Sequence, residues 1–197
     1  MFSKNNNYFS LEGKFLISSP NMVDPRFSET LIYMISDDIN GSMGIIVNKP
    51  ALNLDVRNFF NDFKKLDKEI NKKYMIHYGG PVEFDKGFIL HTNDYETSEA
   101  KTFLKNNLVL SSNSKILNDL SYGKGPSKFI FVIGYDGCRS NQLSEELKHN
   151  SWLVANMNKK ILFSKNYKLK LKNALKSIGI DKEHLKSFKF SNYSGSA

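Results

Sequence analysis

Short apolar segments rich in β-forming residues are spread along the whole sequence, and only some of them are separated by helical patterns. Three segments precede the first helical pattern, at residues 14–18, 29–36 and 44–48, and they predict a hairpin-linked start to a β-sheet. Later segments alternate with helices and lie at residues 74–78, 87–91, 108–110, 128–134, 152–155 and 161–163. Because this order is neither purely hairpin nor purely βαβ, it predicts a mixed α+β fold.

Four stretches have the spacing of amphipathic helices. The first begins near residue 55 and has apolar residues at positions 56, 59, 60, 63 and 66. Two shorter helices are predicted at residues 112–120 and 141–149. The last is predicted at residues 167–178, with Gly179 in the position of a C-terminal cap.

The chain has 197 residues, 40% of them hydrophobic, which predicts one folded domain. That domain is expected at residues 11–190, between polar segments at 1–10 and 191–197 that we expect to be flexible. The longest apolar runs are far shorter than the roughly 20 residues of a membrane span. The single cysteine cannot form an internal disulfide. These features predict a cytoplasmic protein without a membrane span.

The net charge of +8 comes from one part of the chain. Residues 1–158 carry 18 basic and 18 acidic residues, whereas the last 39 residues carry ten lysines and two acids. Lys165, Lys168, Lys172 and Lys176 form a basic stripe on the last predicted helix. Only 3 of the 28 basic residues are Arg, which argues against base-specific nucleic-acid reading. The stripe is either a solvated helix face or a surface for an acidic partner, such as nucleic acid or an anionic membrane.

Three segments together resemble the YqgE/AlgH family in order, spacing and turn residues. They are GKFLISSPNMVDPRFSETLIYMISDDINGSMGIIVNKP, HYGGPVEFDKGFILHTNDYE and VIGYDGCRSNQLSEELKHNSWL. The resemblance extends from about residue 11 to residue 181. It implies a single-domain α+β fold with a branched mixed β-sheet that includes a small closed barrel, surrounded by helices. It implies little about activity, although one branch of the family is named a transcriptional regulator.

The sequence departs from that family pattern at two places. Where the family usually has Gly-Tyr-Ala-Gly-Trp-Gly, this chain has the six residues 134–139, GYDGCR, so Cys138 stands in place of a tryptophan. The C-terminal tail at residues 194–197 lacks the histidine that relatives often carry. Roles that belong to that tryptophan or that histidine are therefore not transferred to this chain.

Polar residues at the ends of apolar strands are the candidate ligand-binding residues. Asn48 and Lys49 end one strand with an amide and a cation, and His91 ends another, with Asp94 just beyond it. Gly79 and Gly80 offer backbone for a cradle. The complete predicted set is Asn48, Lys49, Gly79, Gly80, His91 and Asp94. Each also has a structural interpretation: a hydrogen-bonded core histidine, a solvated lysine in a turn, and glycines that a tight turn requires.

Catalytic and cofactor motifs are weak in this sequence. Neither phosphate-binding glycine motif is present, and the four histidines are not spaced as metal ligands, so we expect no metal and no cofactor. Cys138 is the best candidate nucleophile, since Arg139 follows it, but no histidine neighbours it in sequence to act as a base. It is either an inert residue in the space of a tryptophan or a reactive thiol.

These patterns favour a non-catalytic binding or regulatory protein with a strand-end pocket for a small anionic ligand. The alternative is a transcriptional regulator or other nucleic-acid-associated protein that acts through the C-terminal lysine-rich helix. A hydrolytic enzyme that uses Cys138 or His91 is the third hypothesis.

Overall fold

The computed structural model describes residues 9–59, 74–96, 101–113, 115–139 and 141–182. Within these ranges the strands are β1 (Lys14–Ser18), β2 (Leu31–Asp38), β3 (Gly41–Ile46), β4 (Ile76–Tyr78), β5 (Val82–Thr92), β6 (Lys101–Leu104), β7 (Leu108–Ser111), β8 (Phe129–Arg139) and β9 (Trp152–Asn156). The helices are α1 (Lys115–Ser121), α2 (Gln142–Lys148), α3 (Lys159–Leu162) and α4 (Tyr167–Ser177), with 3₁₀ turns at Pro25–Phe27 and Val56–Phe59.

These strands form one sheet in the order β6-β7-β5-β8-β3-β2-β1-β9, and β4 lies beside β8 off this path. Strand β8 is the branch point, because it pairs antiparallel with β3 and β5 and parallel with β4. The predicted α+β fold with a mixed, branched sheet is therefore confirmed. In the described part of the chain the strand order is open, with β6 and β9 at its ends. The sheet curls into a half-barrel, where the resemblance implied a closed barrel.

Both faces of the central strands are buried. Phe15 and Ile17 of β1 pack into the core on the α4 side, whereas Leu16 packs on the opposite face with Trp152. Strand β2 alternates in the same way, with Tyr33 towards α4 and Ile32 towards α2. Since side chains alternate between the faces of a strand, a sheet covered on both sides needs apolar residues at every position. This requirement explains the uninterrupted apolar runs of the sequence.

Helix α4 forms as its apolar spacing predicts. It buries Leu171, Ala174 and Leu175 against the sheet. It ends in a Schellman motif, in which the amide of Ile180 donates to the carbonyl of Leu175 and the amide of Gly179 donates to the carbonyl of Lys176. Gly179 has a φ of 78°, which confirms its role as the glycine cap. No helix in the described ranges is both long and apolar enough to cross a membrane.

Two secondary-structure predictions differ from the structure. Residues 161–163, predicted as a strand, lie largely in α3, because the Asn158 side chain accepts from the amide of Lys160 and caps a helix there. Strand β6 was missed, since its residues are partly or fully exposed and lack an apolar alternation. The helix predicted from residue 55 begins as a 3₁₀ turn, and its continuation from residue 60 lies outside the described residues. Residues 1–8 and 191–197, which belong to the predicted flexible ends, also lie outside the described residues.

Candidate functional site

The predicted ligand-binding residues at the end of β3 form hydrogen bonds within the fold. The amide group of Asn48 donates to the carbonyl of Glu29 at 2.9 Å and accepts from the amide of Leu31 at 2.8 Å. The Lys49 ammonium donates to the carbonyl of Arg26 at 2.6 Å, and partial burial lowers its pKa. Both side chains therefore connect the end of β3 to the segment that leads into β2.

Gly79 and Gly80 allow two backbones to approach closely. The Gly79 amide donates to the carbonyl of Ile133 at 2.8 Å, and its carbonyl accepts from Ile46 at 2.9 Å. A Cβ atom at Gly79 would overlap the carbonyl of Gly134, and one at Gly80 would overlap the backbone of Tyr135. These glycines place the turn between β4 and β5 directly against β8.

His91 is 0% exposed at the end of β5. Its Nδ1 lies 2.7 Å from the carbonyl of Thr92, and its Nε2 lies 3.0 Å from the hydroxyl of Ser111. Since a carbonyl can only accept, Nδ1 is assigned the proton and Nε2 accepts from Ser111. Burial lowers the pKa of His91. Asp94 accepts from the hydroxyl of Thr92 at 2.6 Å and from the amide of Ser127 at 3.2 Å. A ligand-binding role for these six residues stays a prediction.

A cleft lies between α2 and the neighbouring face of the sheet. The sequence did not predict it, because the predicted binding residues are those at the ends of strands. The cleft is small, with a cavity volume of about 30 Å³, and it opens to solvent. The apolar part of its lining is Leu16, Phe27, Ile32, Met34, Leu143 and Trp152. The remaining lining residues are Ser42, Gly44, Asp136, Cys138, Gln142 and Glu146. The cleft thus combines an apolar floor with a few convergent polar groups, as small-molecule sites do.

Helix α2 fixes one carboxylate of this cleft. Glu146 accepts from the indole Nε1 of Trp152 at 2.7 Å through one oxygen and from the amide of Gln142 at 2.9 Å through the other. Gln142 and Glu146 are four residues apart, so they lie on the same side of α2. The ring of Trp152 is held in turn by an edge-to-face contact with Phe27, at 5.8 Å between centroids. Glu146 is therefore oriented before any ligand arrives.

Strand β8 supplies a second carboxylate and a thiol. Burial raises the pKa of Asp136 to about 6, and the negative charge of Glu146 adds to the rise. Burial also raises the pKa of Cys138, and the charges of Asp136 and Glu146 act in the same direction. Cys138 is opposite Ser42 in the β3–β8 pairing, and the Ser42 hydroxyl donates to the buried Asp37 at 2.5 Å. The thiol is therefore protonated at neutral pH, which is unfavourable for a nucleophile.

Sequence reasoning identified Cys138 as a candidate but did not connect it with Asp136 or Trp152. The local signal that was available is the i, i+4 pair of Gln142 and Glu146, whose polar face accompanies the apolar positions Leu143 and Leu147. Nothing local indicates that β8, β9 and α2 enclose one cleft, because that arrangement depends on pairing between distant strands.

The predicted basic stripe lies on α4 and on the segment before it. Lys165, Lys168 and Lys176 are exposed, whereas Lys172 is half-buried. Lys170, which is not part of the predicted stripe, has its side chain in the core between α4 and the sheet. Three of the four predicted stripe lysines are therefore exposed, and the half-buried Lys172 lies between Lys168 and Lys176.

The sequence of this chain is similar to those of known proteins. The profile of the family described as AlgH-like matches residues 15–183. A UPF0301 protein from Rickettsia canadensis is 40% identical over 183 residues, which cover 91% of this chain and 95% of that one. A UPF0301 protein from Rickettsia felis is 39% identical over the same coverage.

Solved structures show the same architecture. The solution structure of the AlgH protein from Pseudomonas aeruginosa is 29% identical, with a TM-score of 0.75, and the match covers 98% of this chain and 100% of that one. Protein DIP2367 from Corynebacterium diphtheriae is 15% identical, with a TM-score of 0.55 over 78% of this chain and 79% of its own, and shows the fold alone. With its profile, its relatives and its fold in agreement, this chain belongs to the AlgH-like family.

Proposed function

We propose that this protein is a non-catalytic binding protein that holds a small molecule in the cleft between α2 and the sheet. The observation that carries the proposal is the cleft itself, which combines an apolar floor with a pre-oriented Glu146. Natural small-molecule sites combine a concave apolar surface with a few placed polar groups. The proposed binding site is therefore on the α2 side of β8, whereas the sequence predicts one at the strand ends.

The chemistry of the cleft supports binding in preference to catalysis. A thiol nucleophile needs a lowered pKa or an adjacent base, whereas the environment of Cys138 raises its pKa. None of the described residues that line the cleft is a histidine. His91, the other residue of the hydrolase hypothesis, is buried, and both its ring nitrogens are engaged. We therefore place the hydrolytic hypothesis third.

Trp152 provides the test, because it is the only tryptophan of the chain and gives a single indole cross-peak in an ¹H–¹⁵N NMR spectrum. The probes are a set of neutral, cationic and anionic organic fragments. We expect some fragments to shift the indole signal and the amide signals of Asp136 and Cys138. A Cys138→Phe variant, which fills the cleft with a ring, should remove these shifts, and the volume-matched control Cys138→Ser should keep them. If no fragment shifts these signals, or if Cys138→Phe leaves the shifts unchanged, the proposal is wrong.

A second candidate function, nucleic-acid association, is supported by the three exposed lysines of the stripe. In the described part of the chain, Lys165, Lys168 and Lys176 have neither an ion pair nor a side-chain hydrogen bond. Fluorescence anisotropy of labelled oligonucleotides at about 50 and 200 mM salt tests this function. Binding that survives the higher salt and is lost in a triple Lys→Glu variant would support it. Absence of binding, or weak binding that is insensitive to these substitutions, would reject it.

A further inference from the structure

The charges around the cleft have one sign. Asp136 and Glu146 both line it, whereas none of the described lining residues is Lys, Arg or His. Arg26 is a cation that lowers the pKa of Asp136, and its effect is smaller than the opposing effect of Glu146. Arg26 already pairs with Asp24 at 2.6 Å and is 66% exposed. The two cleft carboxylates are therefore left without a basic partner among the lining side chains.

Each carboxylate has acceptor capacity for a ligand. A carboxylate has about four lone-pair sites, and Glu146 uses one on each oxygen, for Trp152 and for Gln142. In the described part of the chain no side chain donates a hydrogen bond to the Asp136 carboxyl group. A backbone hydrogen bond from Gly137 lowers the pKa of Asp136, and it is the smallest of the effects on that pKa. A positively charged donor in the cleft would satisfy these free sites. It would also relieve the repulsion between the two acids.

The walls of the cleft suit an organic cation better than a bare ion. Trp152 and Phe27 present aromatic rings, and Trp offers the strongest surface for a cation–π contact. Leu16, Ile32 and Met34 are at most 3% exposed and close the floor of the cleft. The half-buried ring of Phe27 leaves apolar surface at its edge, where a short hydrocarbon chain gains by burial. A metal ion would leave that apolar surface uncovered.

From this juxtaposition we infer that the cleft binds a small organic cation, with an ammonium group near Asp136 and Glu146 and a short apolar chain against the rings of Phe27 and Trp152. The inference rests on the proposed function, because it names the chemical class of ligand for the same cleft. It reverses the charge of the ligand that the sequence predicts.

A series of matched probes tests the inference. Butylammonium chloride, 1-butanol and sodium butyrate have chains of similar shape and differ in charge, and calcium chloride supplies a cation without a chain. Each is titrated at equal ionic strength while the Trp152 indole signal is followed by NMR. We expect butylammonium to bind at least about tenfold more tightly than butanol or butyrate, which is the scale of one charged hydrogen bond.

Variants locate the contact. Asp136→Asn and Glu146→Gln should each weaken butylammonium binding about tenfold, because each removes one charge and keeps the shape. Glu145→Gln is the matched control, since Glu145 is on the same helix but pairs with Lys148 at 2.7 Å and does not line the cleft. It should change the affinity less than about twofold. Circular dichroism checks that each variant is folded, and the comparison of probes on the unmodified protein does not depend on any variant.

Acidification provides a second readout. Butylammonium stays charged below pH 8, as a lysine side chain does. Protonation of Asp136, whose pKa is about 6, should therefore weaken binding between pH 7 and pH 5. The charged groups that act on Asp136 are Glu146 from α2 and the Asp24–Arg26 pair from the 3₁₀ turn. In Asp136→Asn the pH dependence over this interval should be reduced.

The outcomes separate this inference from the proposed function. If butanol or butyrate binds as tightly as butylammonium, or if calcium alone produces the same shift, the organic-cation inference is wrong while the cleft remains a binding site. If no fragment of any charge shifts the cleft signals, the proposed function fails and the inference fails with it. Butylammonium binding that is equal in Glu146→Gln and Glu145→Gln also overturns the inference.

Discussion

The side-chain ammonium of Lys170 donates to the backbone carbonyl of Val47 at 2.8 Å, and Lys170 is 0% exposed. This is its only hydrogen bond in the described part of the chain, so two of its three donors have no partner there. Burial lowers the pKa of Lys170 to about 8. The bond joins α4 to the segment after β3, and it places a positive charge in the main core.

Replacing Lys170 with Met should stabilise the protein at pH 7. The shift from 10.5 to about 8 corresponds to a cost of about 3 kcal/mol for keeping the ammonium charged in the core. Met keeps the apolar stem and removes the charge, although it loses one hydrogen bond worth about 1 kcal/mol. We expect the free energy of unfolding to rise by about 1–2 kcal/mol in urea titrations. The exposed neighbour Lys168→Met serves as the control and should have little effect.

The same residue gives a pH dependence with a definite sign. Between pH 8 and 10.5 the unfolded chain binds more protons at Lys170 than the folded chain does, so the stability rises with pH. Relative to Lys170→Met, the wild-type protein should therefore gain free energy of unfolding between pH 7.5 and pH 10. Parallel curves for the two proteins would contradict the assignment of a buried, charged Lys170.

His77 should make the protein sensitive to mild acid. The side chain is buried on β4, and neither ring nitrogen makes a hydrogen bond of normal geometry in the described part of the chain. Burial lowers its pKa to about 4, and the charge of Lys170 adds to the effect, while a weak backbone contact with Phe131 opposes it. Between pH 6.5 and 4 the unfolded chain binds the proton first, so stability falls as the pH falls.

A His77→Leu variant tests this dependence. Its free energy of unfolding should fall less between pH 6.5 and pH 4.5 than that of the wild-type protein, by about 2 kcal/mol. Chemical denaturation at the two pH values measures the difference. An equal loss in both proteins would show that other groups cause the acid sensitivity.

Gly79→Ala should destabilise the fold. A Cβ at this position would overlap the carbonyl of Gly134, and a backbone neighbour cannot move aside as a flexible side chain can. We expect a loss of about 2–3 kcal/mol in the free energy of unfolding. Gly137→Ala is the matched control on β8, because its Cβ would meet only ordinary contacts at 3.5 Å or more. That variant should change stability by less than about 1 kcal/mol, and similar effects of the two substitutions would refute the close-approach argument.

Cys138 should react slowly with thiol reagents at neutral pH. Its pKa is raised by burial and by the charges of Asp136 and Glu146, so little thiolate is present. Labelling with iodoacetamide at pH 7 should be at least about tenfold slower than that of free cysteine and should accelerate above pH 9. Asp136→Asn should increase the rate. Labelling at pH 6.5 as fast as that of a free thiol would instead revive the hydrolytic hypothesis.

The local sequence pattern was sufficient to predict the structure of a segment where one physical requirement governs that segment. The bounds of β1 and the glycine cap of α4 follow from apolar spacing and from the φ that the residue after a helix adopts. The strand predicted at residues 161–163 failed for a related reason. A short apolar run fits either a strand or a buried helix, and the capping side chain of Asn158 decided for the helix.

The sequence by itself determined the α+β class, most of the β-strands and the one-sided distribution of charge, since these depend on side-chain periodicity and composition. Only the tertiary structure decided which polar groups meet. Pairing of β3 with β8 and packing of α2 against β9 bring Asp136, Glu146 and Trp152 to one cleft, although they lie on different elements. The same packing buries Lys170 close enough to His77 for its charge to lower the pKa of His77. Contacts between distant segments depend on the whole set of strand pairings, and the local spacing of residues does not predict them.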